Sequence, residues 1–167
     1  MVTDRSRGRV GRRPGLLLGL PIGVMAVAAC LPVLGDPLPR PVGLGVADDG
    51  RVRVVVALCS GERIASVTVH DRETQLPVWK VSQPSGAVSV ITVGDSRGFA
   101  KVDIPMADAM PQNFDVTVEL AGGHSFGSAD SVDEVRRTGA HTGVFMDADR
   151  NTVTEDEFRE QVAGEYC

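Results

Sequence analysis

From about residue 42 onward, apolar and polar residues alternate along the chain with the period of two that is typical of half-buried β-strands. The clearest case is FDVTVEL, 114–120, in which the apolar side chains fall on the even-numbered positions and the polar ones on the odd-numbered positions. GFAKVDI, 98–104, alternates in the same way. Further strands are predicted at 51–58, 63–70, 77–82, 87–93 and 143–147.

Turn-forming clusters separate these segments: ADDG before Arg51, SGE at 60–62, QPSG at 83–86 and GDSRG at 94–98. Seven or eight short strands at this spacing predict a mostly β domain, an antiparallel β-sandwich over residues 42–167. Its pattern resembles immunoglobulin-like and fibronectin-like sandwiches, although the sequence lacks the Cys…Trp…Cys spacing of true immunoglobulin domains. We expect Trp79 to lie in the core.

The C-terminal segment TEDEFREQVAGEYC changes to a helical period. Phe158, Val162 and Tyr166 form one apolar stripe on a helix that is predicted at about 155–166. Thr154 and Glu157 have the spacing of a capping box at its start. A helix of three turns is marginal in isolation, so we expect it to dock on the sandwich.

Strand 51–59 offers a docking place for this helix. Its outward face begins with Arg51 and Arg53 and then becomes apolar at Val55, Ala57 and Cys59. An exposed face with this change of character needs a cover.

The first 30 residues have the composition of an export signal. Five arginines precede the apolar run GLLLGLPIGVMAVAA, 15–29, which is followed by Cys30. The end of the run, VAAC, resembles the lipobox of bacterial lipoproteins, in which the cysteine is lipidated and becomes the mature N-terminus. The resemblance implies a signal peptide at 1–29 and acyl chains on Cys30 that hold the protein in a lipid bilayer, at the extracytoplasmic face of the cell membrane.

Two other interpretations of this segment remain open. Residues 26–28 also form an A-x-A cleavage site, which would leave Cys30 as a spare thiol. Residues 15–34 are long enough to remain as an uncleaved membrane anchor, although Pro21 and Pro32 disfavour that option.

The stretch that follows, 30–41, contains Pro32, Pro37, Pro39 and Pro41. Closely spaced prolines favour polyproline II, so about ten residues reach roughly 30 Å at about 3.1 Å each. We interpret this stretch as a tether between the lipidated cysteine and the domain.

Charge limits the choice of partners. Residues 1–30 carry five of the 17 Lys and Arg residues and one of the 22 acidic residues, which leaves 12 basic and 21 acidic residues and a net charge of −9 in the remainder. An acidic remainder without a basic cluster argues against nucleic acid as a partner. An envelope protein is the expected partner of such a module, in addition to the bilayer.

The chain has three cysteines. If Cys30 takes lipid, Cys59 and Cys167 remain for each other in an oxidising compartment, where disulfides persist. Two unpaired buried thiols are the alternative. A bridge between them would fasten the end of the helix to the strand beneath it.

DADRNTVTEDEF, 147–158, resembles the calcium loop of EF-hands at three ligand positions, those of Asp147, Asp149 and Asn151. Thr152 stands where the EF-hand bend requires glycine, and Glu157 lies one residue before the position of the bidentate glutamate. The simpler interpretation is a polar turn followed by a capped helix. A calcium-dependent module using 147–157 stays as the alternative.

GHSFG, 123–127, resembles the nucleophile elbow of α/β hydrolases, with Ser125 as nucleophile and Asp133 and His141 as partners. The segment that follows is too polar for the buried helix of an elbow, and GDSRG matches the same pattern in an apparent turn. His70, His124 and His141 lack metal-ligand spacing. We therefore expect a binding or structural role with no catalytic residues, no metal and no cofactor, with a serine esterase as the last alternative.

Overall fold

The computed structural model describes residues 39–107, 109–138 and 143–167. The predicted signal peptide, Cys30, the tether up to residue 38 and the triad candidate His141 lie outside these residues. Within them, the chain forms ten strands and two helices. In chain order they are β1 (Gly43–Val46), β2 (Val52–Val55), β3 (Ile64–Asp71), β4 (Pro77–Pro84), β5 (Val90–Thr92), β6 (Phe99–Ile104), β7 (Asn113–Leu120), β8 (Ser125–Ser131), α1 (Val132–Arg137), β9 (Val144–Met146), β10 (Thr152–Thr154) and α2 (Glu155–Tyr166).

The strands form two antiparallel five-stranded sheets that pack face to face, which confirms the predicted β-sandwich. The first sheet has the order β10-β9-β1-β2-β5 and the second has the order β6-β4-β3-β7-β8. Strands β1-β2-β5 follow the A-B-E order of immunoglobulin-like sandwiches, and β3-β7-β8 follow the C-F-G order. The hairpin β9–β10 extends the first sheet beyond β1.

The core lies between the sheets, because the inward positions of the alternating strands are valines and aromatic residues. Val67 and Val69 of β3 and Val116 and Val118 of β7 are fully or almost fully buried. Trp79 on β4 is 1% exposed, so the expectation that it belongs to the core is confirmed.

Helix α2 packs on the outer face of the first sheet, where the sequence predicts it. Its buried residues, Phe158 and Val162, form a second apolar cluster with Val55, Ala57 and Phe145, and Tyr166 packs against this cluster. The apolar stripe of α2 thus faces the sheet, as the helical period predicts.

Three strands and one helix within the described residues were not expected from the alternation. The residues GLGV of β1 lack the alternation of apolar and polar side chains, because every second position is a glycine. A Cβ on Gly43 would come within 2.4 Å of the Val55 side chain, and a Cβ on Gly45 within 2.9 Å of the Val144 carbonyl oxygen. β10 is three residues long, and β8, SFGSADS, carries small polar side chains. The segment 128–137, which the sequence indicates is too polar for the buried helix of a nucleophile elbow, forms the end of β8 and the short helix α1, in which Val132 and Val135 are buried.

Among the described residues, no helix has both the length and the apolar character that are needed to cross a membrane.

Candidate functional site

One end of the sandwich brings together the start of the described chain and the end of α2. We call it the entry end: it consists of Pro39 and Arg40, the β2–β3 connection 56–63, the β4–β5 connection 85–89, the β7–β8 turn 121–124 and the last turn of α2. The strand registers place these segments together, since Gly43 pairs with Val55 and Ile64 pairs with Leu120. Two grooves at this end are lined by residues from these segments.

Arg40 is the central side chain of the entry end. Its guanidinium donates to both carboxylate oxygens of Glu62, at 2.5 Å from Nη1 and 2.9 Å from Nη2. Both side chains are largely shielded, with 14% exposure for Arg40 and 25% for Glu62. Forked pairing of this kind fixes direction as well as distance.

Glu62 also links Arg40 to the β2–β3 connection. The backbone N–H of Cys59 donates to Glu62 Oε2 at 2.8 Å. The Arg40 guanidinium, and after it this N–H, hold the pKa of Glu62 below its usual value of 4.5, against the opposing effect of burial. Glu62 is therefore an anion with its acceptor positions committed to the protein.

The guanidinium of Arg40 lies over the ring of Phe126 on β8, 4.7 Å from the ring centroid. Cation–π contacts of this kind contribute about 0.5–2 kcal/mol, depending on how far water is excluded. We call Arg40, Glu62 and Phe126 the Arg40 junction, because they join the incoming chain to two separate parts of the domain.

Cys59 and Cys167 form a disulfide beside this junction, with 5.4 Å between the two Cα atoms and a sequence separation of 108. It is the pairing that the cysteine count predicts. The bridge fastens the end of α2 to the β2–β3 connection, next to the Tyr166 carbonyl, which lies 3.7 Å from the Cys59 sulfur. Cys59 connects the disulfide to the junction, because its N–H donates to Glu62 and its sulfur forms the bridge.

A groove of about 750 Å³ runs beside the junction, lined in part by Leu120, His124, Ser125, Glu165 and Tyr166. Its size is in the range of small-molecule sites. The groove is open, and His124, Ser125 and Glu165 are exposed. It brings Ser125 near His124, which is its sequence neighbour and not the histidine that the elbow pattern calls for.

The surroundings of Ser125 are those of a β-hairpin. The β7–β8 turn closes through hydrogen bonds from Leu120 N to the His124 carbonyl and from Gly123 N to the Leu120 carbonyl, at 2.8 and 2.9 Å. Ser125 then begins a strand, whereas a nucleophile elbow requires a strand, a turn and a helix. Asp133 lies beyond the other end of β8, about 20 Å away at ~3.3 Å per residue.

The EF-hand-like stretch forms the tight turn of the β9–β10 hairpin. Asp147 is 6% exposed, and its Oδ1 accepts the backbone N–H groups of Asp149 and Asn151 at 2.9 and 2.8 Å. The backbone closes the turn from Asp147 N to the Asn151 carbonyl at 2.9 Å. The Asp147 carboxylate thus organises the turn itself.

Glu157 does not join Asp147 at this turn. Its Oε2 accepts from Thr154 N at 2.7 Å and from Thr154 Oγ1 at 2.9 Å, while Glu157 N donates to Thr154 Oγ1 at 3.3 Å. This is the capping box that the sequence predicts. Across the described residues, no three His, Cys, Asp or Glu side chains are grouped so that they could hold a metal ion.

Comparison of the chain with protein-family models found no match, and searches of curated proteins and of solved structures found no similar protein. The structure nonetheless defines the class of protein. It is a small, disulfide-bonded β-sandwich on which a C-terminal helix docks, and Arg40 fastens the start of the described chain to the domain.

No local pattern in the sequence singles out the Arg40 junction. Arg40 is the one basic residue in the Pro-rich stretch 30–41, and it stands between Pro39 and Pro41. This isolated charge was the available signal, but its two partners are distant in sequence, at residues 62 and 126.

Proposed function

We propose that this protein is a membrane-anchored extracytoplasmic lipoprotein with a binding or structural role at the cell envelope. Cys30 carries the acyl chains, residues 1–29 are removed as a signal peptide, and the sandwich is held at the outer face of the membrane. The partner beyond the bilayer is an envelope protein. The acidic remainder of the chain disfavours nucleic acid.

The Cys59–Cys167 disulfide is the observation that carries this proposal. Disulfides persist in oxidising compartments, and the cytoplasm keeps thiols reduced. The bridge uses both cysteines of the domain. Cys30, placed directly after an apolar run with a basic start, is then free of pairing and available for lipidation.

The role is non-catalytic in this proposal and needs no cofactor. The hairpin around Ser125, with Asp133 far along β8, supports leaving the esterase alternative aside. The commitment of Asp147 to its own turn and of Glu157 to the helix cap supports leaving the calcium alternative aside.

Replacement of Cys30 tests the proposal. We expect the parent protein to partition into detergent and its intact mass to show residues 30–167 with a diacylglyceryl group. We expect Cys30→Ser to remain unprocessed and to lack the acyl mass, because the residue that receives the lipid is gone. Ser66→Ala on β3 is a matched control that removes a hydroxyl within the domain and should be lipidated like the parent.

A Cys30→Ser protein that is processed and stays membrane-bound like the parent would refute lipid anchoring. Cleavage after residue 28 with a free Cys30 thiol would instead support an ordinary secretory signal. An intact N-terminus in the membrane fraction would support the uncleaved anchor.

A further inference from the structure

We propose that strand β6 is a self-association edge, at which two copies of this chain pair antiparallel about a two-fold axis through Val102. The proposal concerns assembly and does not depend on the lipid anchor at Cys30. It follows from the place of β6 in the second sheet, from the exposure of Val102 and from the opposite charges of Lys101 and Asp103.

Strand β6 lies at the edge of the second sheet. It pairs with β4 on one side, and no described strand pairs with its other side. The opposite edge strand, β8, is accompanied by the start of the described chain, where Val42 N donates to Ser128 Oγ at 3.2 Å and Ser128 Oγ donates to the Val42 carbonyl at 3.1 Å. An edge strand presents backbone N–H and C=O groups to which a further strand can add. Six residues of β6 are available for this.

Val102 is an apolar residue of β6 without a cover. It pairs with Val81 of β4, which is fully buried in the core between the sheets. Residues that pair directly lie on the same face of a sheet, so Val102 is on the core side. It is nevertheless 44% exposed, because β6 is the last strand of its sheet. A second Val102 beside it would cover this apolar surface.

Lys101 and Asp103 flank Val102 and share the outer face of the sheet. Lys101 pairs with Ser82 in the strand register, and Ser82 Oγ donates to Asp103 Oδ2 at 2.6 Å. Lys101 also forms an ion pair with Asp103 along the strand. The β4–β6 register skips Asp103, which has no partner residue on β4. The sheet edge thus carries one cation and one anion on the same face.

The order of these residues along β6 is self-complementary. In an antiparallel pair centred on Val102, Lys101 of each copy faces Asp103 of the other, and Ala100 faces Ile104. Opposite charges at facing positions stabilise a strand pair, and like charges destabilise it. A pair centred on Lys101 or on Asp103 would bring two like charges together. A lysine on an edge ordinarily discourages pairing, but here the second copy supplies its counter-charge in one register.

The two-fold contact is isologous, so it closes as a dimer and does not continue into a fibre. One strand edge from each copy buries much less than the ~1,200 Å² that is typical of a stable interface. We therefore expect a weak dimer whose population rises with protein concentration. A covalent trap is suited to such a dimer.

Disulfide trapping tests the register. Val102→Cys and the matched control Ala100→Cys, both at exposed positions of β6, are made in the full chain with Cys30→Ser, which leaves one thiol outside the Cys59–Cys167 bridge. Facing Cβ atoms at position 102 lie about 4.5–5.5 Å apart. The two copies of position 100 are offset by roughly 13 Å, at ~3.3 Å per residue. Under mild oxidation we expect at least about five-fold more linked dimer from position 102, because a disulfide requires nearby Cβ atoms.

Exchange of charge between copies tests the pairing of Lys101 with Asp103. In the Val102→Cys chain, Lys101→Glu alone and Asp103→Lys alone should each lower trapping about three-fold or more, because facing positions then carry like charges. Mixing the two variants should restore trapping between unlike copies, which are identified by mass, because an acidic edge then faces a basic edge. A defect of folding within one copy would not be repaired by mixing.

Each outcome decides for or against the proposal. Preferential trapping at position 102, lost in both single charge variants and restored in their mixture, supports the two-fold pair. Equal trapping from positions 100 and 102, or no linked dimer from either, overturns it. Charge variants that trap like their parent, or a mixture that traps no better than its components, also overturn it.

Discussion

At the scale of the residue, Glu62 connects Arg40, at the start of the described chain, to the β2–β3 connection. It accepts from Arg40 and from the Cys59 N–H, and the ion pair with Arg40 requires its negative charge. We predict that Glu62→Gln lowers the free energy of unfolding at pH 7 by about 1–3 kcal/mol, the typical cost of leaving shielded charged groups without a partner. Urea unfolding measures this change in the free energy of unfolding, and Glu160→Gln, at an exposed position, is the control.

The same variant should show a defined pH dependence. The folded-state pKa of Glu62 lies below its ordinary value of 4.5, chiefly because of Arg40. The stabilisation is thus fully present above the unfolded-state pKa and is lost as the pH falls through the folded-state pKa. The difference between parent and Glu62→Gln should shrink below about pH 4.5, and a difference that grows with acidity would contradict the assigned ion pair.

Ser125 lies in a five-residue motif whose surroundings differ from those of a nucleophile elbow. The pattern GHSFG is present, but the residues around it form a hairpin, and the chemistry of an elbow depends on its strand–turn–helix context. We predict that a fluorophosphonate probe does not label the purified protein. Labelling that disappears in Ser125→Ala, and persists in Ser128→Ala as a matched control, would establish Ser125 as a nucleophile.

At the scale of elements, Asp147 accepts backbone N–H groups within the β9–β10 turn, and Glu157 caps the helix α2 that follows. We predict that thermal melts in millimolar calcium and in chelator coincide, because Asp147 and Glu157 are engaged with backbone N–H groups of their own elements. A ligand present at one hundred times its Kd would add about 2.7 kcal/mol. A calcium-dependent rise in Tm that Asp147→Ala abolishes would show a metal site.

A matched pair of variants separates the turn from a metal site. Asp147→Ala should destabilise the protein with or without calcium, because it removes the acceptor of two N–H groups. Asp149→Ala changes an exposed side chain at the same turn and should be nearly neutral. In a calcium site both carboxylates would be ligands, so both changes would reduce the response to calcium.

The helices and strands differ in how well they can be predicted from the sequence. α2 has a capping box and an apolar stripe, and both are local patterns that the structure reproduces. β8 and β1 have neither, because β8 is built from small polar residues and β1 from alternating glycines. Their strand character comes from pairing, β8 with β7 over seven residue pairs and β1 with β2 over four.

At the scale of the whole molecule, the Cys59–Cys167 disulfide closes a loop that contains most of the domain. We predict that reductant lowers the Tm clearly, because cross-linking a loop of about 100 residues is worth up to roughly 4–5 kcal/mol in the chain-entropy model. The double variant Cys59→Ala/Cys167→Ala should melt at the reduced temperature with and without reductant. Two free thiols in the non-reduced, mature, lipidated protein would contradict the clamp.

The sequence by itself determined what depends on local pattern. Period-two alternation with regularly spaced turns is enough to specify a mostly β sandwich, because each half-buried strand must hide one face. The helical period and cap of α2 are likewise local. The pairing of Cys59 with Cys167 followed from their number and from the assignment of Cys30, without any knowledge of distance.

Tertiary structure alone decided what depends on distant partners. The residues adjacent to Arg40 in sequence do not indicate its role. Its partners Glu62 and Phe126 are distant in sequence and contact it only in the folded domain. An aspartate at position 147 suits either a calcium loop or a tight turn. The backbone N–H groups that surround its carboxylate in the folded protein are those of a turn. Alternation and capping are properties of adjacent residues, whereas a site is defined by groups that only the packed fold brings together.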